Sequence, residues 1–181
     1  LVPAIAGWSD QGLVFDIAVH FGSLGAVCIY FRKDVAGLLT GAGDILSGRG
    51  GSLRSRMTWC IGLGTVPAAI AGLLLAGWIS DHLRSPLVVV ATLSAYGVLM
   101  AVADRFAPRD RDISMLTIKD AVIVGVAQAL ALVPGTSRSG ITITAARLLG
   151  FARQDAARFS FLLSIPVILL AALLQAVMLI M

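Results

Sequence analysis

Long stretches without charge are the feature that most restricts how this chain can fold. The run from Trp59 to Ile79 contains no Asp, Glu, Lys or Arg, and it is long enough to cross the hydrocarbon core of a bilayer as a helix. Over the whole chain 58% of the residues are hydrophobic and 13% are charged, whereas about a quarter are charged in a typical soluble domain. The composition therefore predicts an integral membrane protein.

Four further apolar stretches follow the same pattern, so we predict an all-α, polytopic bundle of membrane helices. We predict one transmembrane domain over residues 1–181, with membrane segments at 13–31, 59–79, 87–103, a re-entrant hairpin at 121–149, and 159–181. The hairpin is predicted because its two apolar halves are each too short for a crossing and flank a loop with Gly and Pro. The chain starts without Met and stops inside an apolar run, so we expect it to be a fragment of a longer protein.

The loop of the predicted hairpin has the residues of an anion site. Its sequence is Pro134-Gly135-Thr136-Ser137-Arg138-Ser139-Gly140. A charged side chain at membrane depth is costly and is read first as functional. The helix predicted from Ile141 to Leu149, with Gly150 after its end, directs free N–H groups at the loop, and Arg138 adds donors suited to two phosphate oxygens. We expect a phosphate or diphosphate ligand.

A second interpretation of the loop stays open. In it the serines satisfy carbonyls freed by the helix break, and Arg138 pairs with an acid elsewhere in the bundle. Gln128 faces either the site or a neighbouring helix. Asp16 and His20 lie four residues apart on one helix face, so they are either polar groups of the bundle interior or ordinary groups at a helix end.

Charge and cysteine usage restrict the partners. The net charge of +4 lies in connecting segments, which indicates membrane topology rather than nucleic-acid binding. The basic excess of residues 34–56 predicts that this connection is cytoplasmic. Cys28 and Cys60 lie in apolar runs without a second ligand nearby, so neither a disulfide nor a metal site is predicted.

Several motifs together resemble the undecaprenyl-diphosphatase family, bacterial lipid phosphatases also linked to bacitracin resistance. The matching residues are Gly125, Gln128, Ala131-Leu132, Pro134 to Gly140, Thr142, Gly150, Arg153, Ala156 and Phe159-Ser160-Phe161-Leu162-Leu163. The stretch Phe15 to Leu24, followed by Tyr30-Phe31-Arg32, is similar to the upstream helix of the same family. The resemblance covers essentially the whole chain.

The resemblance implies hydrolysis of undecaprenyl diphosphate to undecaprenyl phosphate and phosphate, which returns the lipid carrier to peptidoglycan synthesis. It also implies an inverted-repeat fold with two re-entrant hairpins, in the bacterial inner membrane, with a site open to the periplasm. By the same resemblance, Arg138 and Ser137 are catalytic, and the diphosphate is bound by Gly135, Thr136, Ser139 and Gly140. A homodimer is left open.

One departure from the family pattern limits these expectations. Family members have an upstream acidic segment that ends in Ser-Ser-Thr-Gly-His and is tied to catalysis and to a divalent cation, Mg²⁺ or Ca²⁺. Because no such segment occurs here, we expect the metal ligands to lie outside this chain and the chain alone to be inactive. The alternative function is a non-enzymatic transporter of a lipid phosphate or another anion, which would use the same broken helix.

Overall fold

The computed structural model describes residues 12–83 and 85–180, and it describes side chains for these except 12–18, 20, 76, 80, 81 and 175–180. Helices dominate the described residues, which confirms the all-α prediction. The α-helices are α1 (Gly12–Tyr30), α2 (Arg32–Leu46), α3 (Leu53–His82), α4 (Pro86–Phe106), α5 (Ile118–Ala129), α6 (Arg138–Leu148) and α7 (Arg153–Ile180). Short 3₁₀ turns occur at Ile113–Met115 and Leu130–Leu132.

Within the described residues, three helices are long and apolar enough to cross a membrane. They are the Leu53–Leu75 part of α3, all of α4, and the Arg153–Leu174 part of α7, with mean hydropathies of 1.7, 2.0 and 2.2. Only 6% of the apolar window of α4 is buried inside the protein, so its large side chains face outward. An apolar exterior of this extent fits lipid rather than water, which confirms an integral membrane protein.

Two helices begin before the predicted membrane segments, and at α3 the reason is a polar cap. Ser52 Oγ accepts a hydrogen bond from the backbone N–H of Ser55 at 3.1 Å, so α3 begins before the predicted 59–79 segment. It also continues to His82, beyond the end of that segment. Similarly, α7 begins before the predicted 159–181 segment. Hydropathy marks the apolar part of a helix, whereas caps determine where the backbone becomes helical.

α3 and α5 cross in close contact at a pair of glycines. A Cβ on Gly125 would clash with the carbonyl oxygen of Gly64, and a Cβ on Gly64 would lie 2.9 Å from the carbonyl oxygen of Ala121. Small residues allow membrane helices to approach in this way. The surrounding core contains Cys60, Ile61, Leu116, Ala121, Val124, Ala146, Phe151, Ala156, Phe159, Leu162 and Leu163. The crossing therefore holds α5 firmly against α3.

Most charged side chains gather at one end of the bundle, here named the charged end and consisting of residues 31–58, 103–120 and 147–158. It contains twelve of the fourteen Lys and Arg residues and seven of the ten acidic residues. The contacts that join its three parts include Arg158 with Asp34, Arg153 with Asp104, Arg56 with the Ser114 carbonyl and Arg147 with the Ala107 carbonyl. The ends of several helices therefore meet in one layer.

α5 and α6 form a hairpin whose two ends both lie at the charged end. Arg111 joins them: its Nη2 donates to Asp120 Oδ2 at 2.6 Å, and its Nη1 donates to the carbonyl of Leu149 at 2.9 Å. The tip packs on α4, where Thr92 Oγ1 donates to the Pro134 carbonyl at 2.7 Å. This is the arrangement expected of a re-entrant hairpin. Its position in a bilayer and the inverted repeat stay predictions.

The ion pair of Arg111 and Asp120 stabilises the base of this hairpin. Burial raises the pKa of Asp120, but hydrogen bonds from Arg111 and Thr117 outweigh burial and hold that pKa below its ordinary value. The hydrogen bond to Asp120 raises the pKa of Arg111. The guanidinium carbon of Arg111 also lies 4.3 Å from the ring centroid of Phe151. The pair is therefore fully ionised at neutral pH.

Candidate anion-binding site

The loop at the tip of the hairpin turns at Gly135. This residue has φ +91°, a left-handed conformation that favours glycine. A Cβ there would lie 2.5 Å from the carbonyl oxygen of Val89 on α4. Glycine is therefore required at this position by the backbone conformation and by packing against α4, and its predicted contact with a ligand stays a prediction.

The helix that follows the loop begins earlier than the sequence predicts. Ser137 Oγ accepts a hydrogen bond from the backbone N–H of Gly140 at 3.2 Å, so α6 starts at Arg138 and not at Ile141. Its other end agrees with the prediction, because Gly150 follows the helix with φ +90°. The corrected start places Arg138 in the first turn of α6, where the helix dipole is positive.

Two backbone N–H groups of this first turn are free within the described part of the chain. The amides of Arg138 and Ser139 have no acceptor there. The amide of Gly140 donates to Ser137 Oγ, and the amide of Ile141 donates to the Ser137 carbonyl. Free amides at a helix start are the groups that bind anions in many proteins. The geometry therefore provides two donors beside the Arg138 guanidinium.

Arg138 lines a cavity of about 270 Å³ between α1, α6 and α7. The hydroxyl residues in its wall are Ser23 of α1, Ser139 of α6, and Ser160 and Ser164 of α7, and the apolar ones are Val27, Phe161 and Ile168. Ser160 Oγ lies 2.6 Å from Thr142 Oγ1, and Ser164 Oγ donates to the Phe161 carbonyl at 2.7 Å. The wall thus combines one cation and several hydroxyls, which suits an oxyanion.

Sequence reasoning did not select Ser160 and Ser164 as site residues. They lie four residues apart in an apolar stretch, and this spacing places both on one face of a helix. Ser160 also belongs to the motif that contributes to the family resemblance. Two hydroxyls on one face of an apolar helix were therefore the signal that could have identified them.

Arg138 has no acceptor within the described part of the structure. No described carboxylate lies within 4.0 Å of it, and no described oxygen accepts a hydrogen bond from its guanidinium. The alternative in which it pairs with an acid therefore gains no support from the described residues. The predicted secondary candidates Asp16 and His20 lie outside the described side chains.

The other predicted site residues have different surroundings. Ser137 is exposed, and its Oγ caps α6. Thr136 Oγ1 and both amide atoms of Gln128 are buried without a hydrogen-bond partner among the described residues. None of these three residues lines the cavity of Arg138. Their roles in binding or catalysis stay predictions.

A resident metal does not fit the described wall of this cavity. The wall contains hydroxyls and a guanidinium but no carboxylate, imidazole or thiolate. No group of three His, Cys or acidic residues that could hold a metal occurs in the described part of the chain. Magnesium and calcium require several oxygen ligands, usually carboxylates. These residues suit a bound anion and do not form a divalent-cation site.

Comparison with known proteins identifies the family. The family described as "Bacitracin resistance protein BacA" matches the chain over residues 1–181. The chain belongs to this family. The match confirms the resemblance inferred from the motifs around Arg138.

Relatives of this BacA-family chain include enzymes named undecaprenyl-diphosphatase. The one from Hahella chejuensis is 56% identical over 169 residues, which are 93% of this chain and 63% of the relative. The one from Thioalkalivibrio sulfidiphilus is 53% identical over 171 residues, 94% of this chain and 64% of the relative. Undecaprenyl-diphosphatase 2 of Stutzerimonas stutzeri is 51% identical, with 95% of this chain and 65% of the relative covered. The chain thus spans slightly less than two thirds of these relatives.

Proposed function

We propose that this protein acts in the hydrolysis of undecaprenyl diphosphate to undecaprenyl phosphate and inorganic phosphate. Membership of the BacA family and relatives that carry the name undecaprenyl-diphosphatase support the proposal. A single observation carries the proposal: the Arg138 side chain lines a cavity with several hydroxyls, and its guanidinium has no partner among the described residues. A half-buried cation without a partner among the described residues is matched by an anionic ligand.

Each part of the loop has a proposed role toward the diphosphate. Arg138 binds two oxygens through the fork of its guanidinium. The amides of Arg138 and Ser139 face the remaining charge in the proposed complex, and Gly135, Thr136 and Gly140 complete the proposed binding loop. Ser137 is the proposed catalytic hydroxyl, since it is exposed at the end of the loop and only its acceptor lone pair is used by the cap.

The chemistry needs stabilisation of negative charge. Hydrolysis forms a bond from a water oxygen to the terminal phosphorus and breaks the bond from that phosphorus to the bridging oxygen, which leaves with the lipid phosphate. Charge develops on the oxygens around the phosphorus and on the leaving oxygen, and fixed donors stabilise it. A divalent cation, Mg²⁺ or Ca²⁺, would neutralise further charge, and we place its ligands outside the described residues.

The charge distribution supports an orientation. Loops rich in Lys and Arg face the cytoplasm in membrane proteins, so the charged end is the proposed cytoplasmic end. Arg138 begins α6, whereas the last turn of that helix belongs to the charged end. The proposed site therefore opens toward the periplasm from the inner membrane. The product would return from there to peptidoglycan synthesis, which supports cell-wall formation and cell shape.

The proposal is tested by phosphate release from undecaprenyl diphosphate with the purified full-length protein. Arg138→Lys keeps the charge but loses the two-pronged donor, and we expect turnover to fall by about 100-fold or more. Arg105→Lys is the matched control, because Arg105 is exposed, and it should turn over normally. Near-normal turnover by Arg138→Lys would contradict the proposal. Vesicle assays in which intact substrate moves and no phosphate is released would favour the transporter instead.

A further inference from the structure

A second cavity, here named the basic pocket, lies at the charged end. It has a volume of about 270 Å³ and is bounded by α2, α3, α7 and the 3₁₀ turn before α5. Its rim includes Lys33, Asp34, Arg54 and Arg158, and its floor includes Leu38 and Met57. None of the residues that line it also lines the cavity of Arg138. The basic pocket is therefore a separate site, and nothing in the proposed reaction uses it.

The rim of the basic pocket carries uncompensated positive charge. Arg158 forms an ion pair with Asp34, so these two charges cancel. Lys33 and Arg54 are exposed and have no ion-pair partner among the described residues. Two positive charges thus remain at the rim, and Arg54 also lies in the first turn of α3, where the dipole adds to the positive potential.

The floor of the same pocket is apolar. Leu38 and Met57 are half-buried and pack against the main core, so each keeps apolar surface toward the pocket. The pocket therefore combines a cationic rim with a hydrocarbon floor. A fully hydrated inorganic ion would leave this floor unused, whereas an amphiphilic anion fits both parts.

The position of the basic pocket indicates where that amphiphile comes from. α3 and α7 are both apolar enough to span a membrane, and both begin beside the pocket. The start of a spanning helix lies at the level of the lipid headgroups. Basic pockets between membrane helices at that level are typical sites for anionic headgroups.

We propose that the basic pocket binds an anionic diacyl phospholipid from the leaflet at the charged end. Its phosphate lies between Lys33 and Arg54, and the first part of an acyl chain lies on Leu38 and Met57. The lipid fills the space between α2, α3 and α7 and thereby stabilises the bundle. This binding does not depend on the proposed reaction at Arg138.

The experiment measures lipid binding by native mass spectrometry and thermal unfolding of the purified full-length protein in mixed micelles. Phosphatidylglycerol should bind and raise the unfolding temperature, and phosphatidylcholine should do neither. The double variant Lys33→Gln/Arg54→Gln should lose about tenfold or more in apparent affinity for phosphatidylglycerol, from about 1 kcal/mol per cation. Arg49→Gln/Arg105→Gln removes the same charge from the charged end outside the pocket, and it should bind almost as wild type does.

Each alternative occupant gives a different result. Equal losses in the two double variants would show that general surface charge is responsible, which overturns the proposal. An unfolding shift with inorganic phosphate as large as that with phosphatidylglycerol would overturn the lipid assignment, as would displacement of phosphatidylglycerol by undecaprenyl phosphate at equal concentration. As an independent test, phosphatidylglycerol with a photoreactive acyl chain should crosslink near Leu38. Crosslinks confined to α4 would contradict the site.

Discussion

Arg138 and Arg147 lie at opposite ends of α6, and their surroundings differ completely. Arg147 is 2% exposed, and its guanidinium donates to the carbonyls of Pro108 at 2.8 Å, Ala107 at 3.1 Å, and Phe151. Its Nε lies 3.7 Å from Asp104 Oδ1. Arg138 has none of these contacts among the described residues and lines a cavity instead.

The comparison teaches that burial of an arginine does not by itself indicate a binding site. Both residues are costly to place in a membrane protein. At Arg147 the cost is offset by backbone carbonyls that need donors, so the side chain completes the structure. At Arg138 no described residue accepts from the guanidinium, and we propose that a ligand does so. The decisive property is which groups accept from the guanidinium.

The largest expected effect is the loss of ligand binding on substitution of Arg138. Arg138→Met removes two charge-assisted hydrogen bonds of about 1.5–3 kcal/mol each, so affinity for a polyprenyl diphosphate should fall at least about 100-fold. Its unfolding temperature should stay equal to or rise above that of wild type, because the removed cation is half-buried and has no partner among the described residues. Binding by isothermal calorimetry and unfolding by fluorescence check both parts. A loss of folding free energy as large as the loss of binding free energy would show that Arg138 is a structural residue, as Arg147 is.

Arg147→Met should have the opposite profile. It leaves three carbonyls without a donor, and we expect the free energy of unfolding to fall by about 3 kcal/mol. Arg153→Met is the control, since Arg153 is an exposed partner of Asp104, and its loss should be below about 1 kcal/mol. Denaturant unfolding in micelles measures both. Equal stabilities of the two variants would show that Arg147 is not the structural arginine.

The position of Arg138 also depends on the close crossing of α3 and α5. Gly125→Ala introduces a Cβ that clashes with the Gly64 carbonyl, and it should destabilise the protein by about 1–3 kcal/mol. Gly97→Ala is a matched control, because a Cβ there has no neighbour within 4 Å, and it should be neutral or slightly stabilising. Thermal unfolding compares the two. A stable Gly125→Ala protein would mean that the hairpin can shift away from α3.

The smallest expected effect is a pH dependence at the base of the hairpin. The pKa of Asp120 is lower in the folded protein than its ordinary value of 3.8. Asp120 therefore contributes stability that is present above this ordinary value and lost as the pH falls through the folded pKa. Asp120→Asn should be less stable at neutral pH, and its unfolding temperature should decrease less on acidification. Parallel pH curves for wild type and variant would contradict this role.

The sequence by itself determined the class of the protein and the position of its most informative loop. Apolar runs predicted membrane helices because burial in lipid depends on local composition. The motif around Arg138 predicted an anion site and the family, and Gly150 predicted the end of α6 through its backbone conformation. These properties are local, so neighbouring residues are enough to encode them.

Only the tertiary structure decided which groups meet. Asp34 and Arg158 form an ion pair across 124 positions of sequence, and Ser160 reaches the cavity of Arg138 because α7 packs on α6. Hydropathy does not encode such pairings, because they depend on how helices pack rather than on the residues beside them. The sequence motif distinguishes Arg138, but the carbonyl partners of Arg147 are found only in the folded bundle.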